Sequence, residues 1–80
     1  MESAVPYNPA MSALRKRSVS LAGHATSLAL EPEFWAILQK MAEARNLSLA
    51  ALIIDIDTSR GDRPLASACR VAALAWAGAS

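Results

Sequence analysis

Cysteine occurs once and glycine three times in this chain of 80 residues, and each scarcity removes a class of protein. Cys69 has no partner for an intrachain disulfide, and no Cys/His cluster at ligand spacing accompanies it, so neither a disulfide framework nor a structural metal can shore up a small core. A reducing, cytoplasmic setting is the default for such a chain. With so little glycine and a hydrophobic share of 54%, most of the sequence can bury surface, and disorder is expected only at the ends. No apolar run is long enough to cross a bilayer: the best candidate, near the carboxyl end, is short and interrupted by Arg70. The amino-terminal stretch carries Pro6 and Pro9, lacks an apolar core and places its basic residues after it, which excludes a signal peptide. GxSxG, HExxH, phosphate-loop and Cys/His patterns are all missing, and a chain this small has little room for a closed pocket, so no catalytic residue, cofactor or metal is expected.

Acids are also missing, locally. None occurs between Ser3 and Leu30, while Arg15, Lys16 and Arg17 stand in a row inside that interval. The formal net charge of +1 therefore hides a directional footprint: a positive segment attached to a mixed body in which Glu31, Glu33, Glu43, Asp55, Asp57 and Asp62 face Lys40, Arg45, Arg60, Arg63 and Arg70. Such asymmetry suits a polyanionic partner better than the net charge suggests.

The organising stretch runs from Thr26 to Leu47. Thr26, Leu28 and Leu30 alternate with Ser27 and Ala29, the period of a half-buried strand. Pro32 then sits where a first helical residue is wanted, because its fixed φ suits the helix and its missing N–H is one no helix start would use. Phe34, Leu38, Met41 and Ala42 repeat at helical spacing, and Trp35 and Ile37 widen the stripe. Upstream, Arg17 to Leu21 alternates too, but its apolar positions are odd-numbered and those of the next strand even. Ala22 to Ala25 must reset the parity, either as a bulge in one long ribbon or as the loop of a hairpin. Thr26 to Leu30 has no obvious partner strand downstream, so its backbone must find another strand, most simply the same strand of a second copy, and a two-fold dimer is the economical answer for a chain near the lower size limit of a stable core.

Asn46 stands at a left-handed cap position and Ser48 is a good N-cap for a second helix. In that helix Leu49, Leu52, Ile53 and Ile56 form one stripe and Ile54 a second flank, so burial on more than one side is expected, as at a dimer core. Thr58 to Pro64 is rich in turn formers. Leu65 to Ala77 spells a third, alanine-rich helix with Leu65, Cys69, Ala72 and Trp76 on one face. A helix-turn-helix reading fails, because its recognition helix, Ser48 to Thr58, is apolar and ends in two acids that phosphates would repel.

The segments RSVSLAGHATSLALEPEFW, LSLAALIIDID and LASACRV resemble a bacterial ribbon-helix-helix domain family whose pattern is roughly RSV-x-x-x-GH-x-TS-x-x-LE-x-x-FW, then a leucine-rich second helix with an ID pair, then an LSSA-x-R helix. Arg17, Ser18, Val19, Gly23, His24, Thr26, Ser27, Leu30, Glu31, Phe34, Trp35, Ile56, Asp57, Leu65, Ser67, Ala68 and Arg70 match in place. Ala25 replaces a residue that is commonly basic in the family, and Ala66 one that is often Ser.

The resemblance implies a mainly α fold with a short β-ribbon: an intertwined ribbon-helix-helix homodimer with an additional C-terminal helix. It divides the chain into a flexible arm (1–14), the ribbon-helix-helix domain (15–60) and a helical extension (61–80). It also implies a transcriptional regulator, of the repressor kind, that inserts an antiparallel ribbon into the major groove of double-stranded DNA and can assemble further there. The DNA-facing set is then Ala25, Ser27 and Ala29 on the ribbon, Arg15, Lys16, Arg17 and His24 on phosphates, and Ser48 and Leu49 at a helix start whose free N–H groups favour anions. Because that ribbon face lacks Arg, Lys, Asn and Gln, specificity is expected from DNA shape or from the strand around Arg17, Ser18 and Ser20. The dimer core is Leu28, Leu30, Phe34, Trp35, Leu38, Leu49, Leu52, Ile53 and Ile56. His24 has a plainer reading, a loop histidine hydrogen-bonded to the turn. The alternative function is an interaction or antitoxin-like module that keeps the ribbon fold, binds DNA weakly or not at all, and docks a protein partner on the third helix.

Overall fold

A computed structural model describes residues 14–79. The arm expected over residues 1–14 therefore lies, apart from Leu14, outside the described residues. The elements run β1 (Arg15–Leu21), β2 (His24–Leu30), α1 (Pro32–Ala44), α2 (Leu49–Ser59) and α3 (Leu65–Ala79).

The strands form an antiparallel hairpin within the chain, with Leu21 opposite His24, Val19 opposite Thr26, Arg17 opposite Leu28 and Arg15 opposite Leu30. This settles the parity change between the two strands. In this register odd positions of β1 face even positions of β2, so both apolar sets lie on one side of the sheet. The loop is Ala22-Gly23, and both residues have positive φ, 52° and 85°, as the right-handed twist of a two-residue hairpin demands. It also corrects the inference that β2 must pair with its symmetry mate, since the partner is β1 of the same chain. The sequence left this partner open, because β1 is mostly basic and polar with only Val19 and Leu21 as its apolar side, and a bulged single ribbon accounted for the alternation as well as a hairpin.

Pro32 is the first residue of α1, and the Glu31 carbonyl accepts from the amides of both Phe34 and Trp35. Asn46, at φ 59°, closes α1 in a Schellman motif: its N–H donates to Glu43 and that of Leu47 to Ala42, at 3.1 and 2.8 Å. Ser48 caps α2, its Oγ accepting from the Ala51 amide at 3.0 Å. α2 continues through Thr58 and Ser59, so the link to α3 is shorter than the turn formers imply and begins at Arg60.

The core gathers the apolar stripes of every element. Leu28, Leu30, Trp35, Leu38, Met41, Ala42, Leu52, Ile53, Ile56, Ala68, Cys69 and Ala73 are buried, and Val19, Leu21, Phe34, Leu49, Leu65, Ala72 and Trp76 pack against them. Of the residues expected at a dimer core, Leu28, Leu30, Trp35, Leu38, Leu52, Ile53 and Ile56 are buried within one chain, while Phe34 and Leu49 are partly buried against it. Within one chain Ile54 is 44% exposed, so α2 is buried along a single stripe there and its second apolar flank is left open. α3 closes the same core, touching α1, α2 and β2. An ion pair fastens its Arg70 to Glu31 at the start of α1 (Nε to Oε1, 2.9 Å), and the Arg70 guanidinium lies over the Phe34 ring at 5.8 Å. The Arg70 hydrogen bond holds the Glu31 carboxyl below its usual pKa, aided by a backbone hydrogen bond. Burial pushes the Cys69 thiol up to about 11.

Candidate nucleic-acid interface

Alternation along the hairpin gives it two unlike faces. Arg15, Arg17, Val19 and Leu21 share the inner face with Leu28 and Leu30, which are buried against the helices. The outer face pairs Lys16 with Ala29, Ser18 with Ser27 and Ser20 with Ala25. All of these are exposed except Ala29, which is half-buried. The face is flat, hydroxyl-rich, free of acids and carries one cation.

Ala25, Ser27 and Ala29 do lie together on the outer face, as the period-2 pattern requires. Taken alone they would offer little for base recognition. The hairpin adds Lys16, Ser18 and Ser20 beside them, the part of the surface that a reading of β2 by itself misses. The register was the signal, because a two-residue loop at Ala22-Gly23 dictates which residues of β1 join Ser27. Lys16 and the serines supply donors and acceptors of the kind that read base edges.

The basic triplet does not act as one patch. Lys16 points outward, while Arg15 and Arg17 turn toward α1. The Arg17 guanidinium stacks over the Trp35 ring with its carbon 4.6 Å from the centroid. The Arg15 carbonyl accepts from Trp35 Nε1 at 2.9 Å. Trp35 is buried, so one indole ties the open end of the hairpin to the first helix. Nothing in the sequence pattern announces this stacking between residues of opposite charge logic, an arginine and a core aromatic.

His24 stands exposed at the start of β2, opposite Leu21, and has no side-chain hydrogen bond among the described residues. The bland expectation of a histidine bonded to its turn is therefore not met. Ser48 and Leu49 lie on a different element, at the amino end of α2. Ser48 is exposed, Leu49 packs against the core, and the Ala51 amide is already taken by the Ser48 cap.

Among the described residues no group of three or more His, Cys, Asp or Glu could hold a metal, and no helix is long and apolar enough to cross a membrane. No curated protein matches the chain significantly, and no solved structure does. Residues 14–77 match the model of the ribbon-helix-helix domain, a span that takes in both strands and nearly all of α3. With the hairpin, the caps and the order of helices in place, the chain belongs to the ribbon-helix-helix domain family.

Proposed function

We propose that this protein is a DNA-binding transcriptional regulator that lays the outer face of its ribbon in the major groove. The observation that carries the reading is that face itself: Lys16, Ser18, Ser20, Ala25 and Ser27 stand exposed together with no acid among them. A two-stranded ribbon fits a groove about 12 Å wide, and lysine and serine pair with base-edge acceptors and donors there. Membership of a family whose members generally dimerise and bind DNA supports the same reading and a homodimeric, cytoplasmic protein. Arg15 and Arg17 flank the ribbon where phosphates would run, and their charges add to affinity without adding sequence preference.

An electrophoretic shift with genomic fragments at two salt concentrations tests it. Binding is expected to weaken steeply with salt. Each lost phosphate contact reduces the slope of log affinity against log salt by about 0.9. Arg15→Ala and Arg17→Ala together should flatten that slope across all sequences, whereas Ser27→Ala and Ser18→Ala should change which fragments are preferred. Absence of any shift at low salt would sink the proposal. A second reading, a ribbon-bearing module that docks a protein on α3, is favoured by one feature: Val71 and Leu74 are 46% and 69% exposed on the side of that helix away from the core.

A further inference from the structure

We propose that the cleft between the open end of the hairpin and the first turns of α1 is a binding site for a phosphate group. Arg15, Arg17, Pro32, Trp35, Ala36 and Gln39 line an open cavity of about 350 Å³. It lies on the inner side of the sheet, opposite Lys16 and Ser27; where DNA supplies the phosphate the proposal rests on the reading of Arg15 and Arg17 as backbone contacts, and where a free molecule supplies it the site is independent of the ribbon.

Two arginines line this cleft and no carboxylate does. Elsewhere on the chain guanidinium groups are already engaged: Arg45 with Asp55, Arg60 with Asp57, Arg70 with Glu31. Arg63 donates to Ser67 Oγ. Arg15 and Arg17 have no acidic partner among the described residues, so both charges stand available to an anion at one cavity. Arg17 is held in place by its stacking on Trp35, which leaves the edges of its planar fork available for a bidentate oxyanion. Gln39 adds an amide at the rim. Its Nε2 donates to Glu43 Oε2 at 3.2 Å, and Glu43, which keeps its charge, is not among the residues that line the cleft. The amino end of α1, marked by Pro32, contributes a favourable dipole. Because the Trp35 ring is already covered by Arg17 and buried, the cleft has no free aromatic platform. Its chemistry selects a compact, strongly charged oxyanion and not a flat aromatic one.

Such a phosphate has two sources, the backbone of DNA held by the ribbon or a free phosphorylated molecule. Trp35 supplies the probe, because its Nε1–H is bonded to the Arg15 carbonyl and its ¹⁵N–¹H signal will sense the cleft. The full chain is titrated with inorganic phosphate against chloride at equal ionic strength, the indole signals being assigned with Trp76→Phe. A saturable shift of the Trp35 signal is expected, with affinity falling about tenfold in Arg17→Gln and again in Arg15→Gln. Arg15→Gln removes a side chain that makes no described contact, so it remains folded and decisive if Arg17→Gln does not. A shift equal to that produced by chloride, or one indifferent to both substitutions, overturns the proposal.

Repeating the titration with a short duplex separates the sources. Displacement of phosphate by duplex identifies the DNA backbone as the ligand, and phosphate uptake by the duplex-bound protein identifies a free one. Duplex binding without saturable phosphate binding refutes the cleft and leaves the ribbon reading intact. Phosphate saturation without duplex binding does the reverse.

Discussion

Ala22 is the residue at which the hairpin can be tested most sharply. It lies at φ 52° beside Gly23 at 85°, and a left-handed conformation costs a residue with a Cβ about 1–2 kcal/mol. Replacing Ala22 with Gly removes that cost but loosens the unfolded chain, which costs about 0.4–1 kcal/mol. The balance is a stabilisation of roughly 0.5–1 kcal/mol, worth about 3–6 °C in a domain of this size. Gly23→Ala makes the opposite trade. A Cβ at Gly23 meets nothing within 4 Å, so its penalty is backbone strain alone, and a loss of similar size is expected.

Thermal and urea unfolding of the two variants checks both signs. The pairing of opposite signs at adjacent positions is what carries the test. Were Ala22 and Gly23 part of a continuous bulged strand with negative φ, Ala22→Gly would destabilise and Gly23→Ala would stabilise, because only the unfolded-state term would remain. That result would remove the register, and with it the placing of Lys16, Ser18 and Ser20 beside Ser27.

Three further outcomes follow from contacts away from the ribbon. Ser48→Ala should cost about 1 kcal/mol of stability, read from the urea midpoint, since it orphans the Ala51 amide that Ser48 Oγ now caps at 3.0 Å. Cys69 is fully buried with its thiol pushed up to about 11. A thiol reagent at pH 8 should therefore label it only as fast as the protein opens, and rapidly in denaturant; prompt labelling of the native protein would contradict its place in the core. The Glu31 carboxyl is held low by Arg70, so this group stabilises the fold above the ordinary carboxylate range and loses its contribution as pH falls through its lowered value. Glu31→Gln should accordingly lower stability at pH 7 and approach the parent at pH 3, measured by urea midpoints at the two pH values.

Local chemistry made much of this fold legible. Pro32 announced the start of α1, Asn46 and Ser48 the turn between helices, and the alternation from Thr26 to Leu30 the face that is buried. These signals act over a few residues, and tertiary packing only confirms them. What escaped depends on distance along the chain. The partner of β2 was ambiguous because Arg15, Lys16 and Arg17 read as a solvated charge run. Glu31 meets Arg70 across 39 positions, and Arg17 meets Trp35 through the fold, so neither pair could be read from spacing. At the candidate interface the pattern identified Ala25, Ser27 and Ala29 as one set and offered the strand around Arg17, Ser18 and Ser20 beside it, but could not tell that Lys16 joins Ser18 and Ser20 on that face while Arg17 turns away.

The hairpin also alters what a dimer would look like on DNA. When a single strand per chain must pair with its symmetry mate, two chains make one ribbon and fill one stretch of groove. Here each chain carries a two-stranded ribbon of its own, so pairing with a second copy is not needed to form it. A pair of chains would present two ribbons, and a four-stranded sheet is too wide to enter a groove of about 12 Å. Two ribbons must then occupy successive stretches of groove on one side of the duplex, about 10–10.5 base pairs apart. Footprinting combined with mass measurement of the complex distinguishes the arrangements. One ribbon per chain predicts a site with two half-sites a helical turn apart for two chains, and a single half-site that one chain can occupy weakly. A protected region confined to a single half-site with two chains bound would show that strands from different chains share one ribbon after all.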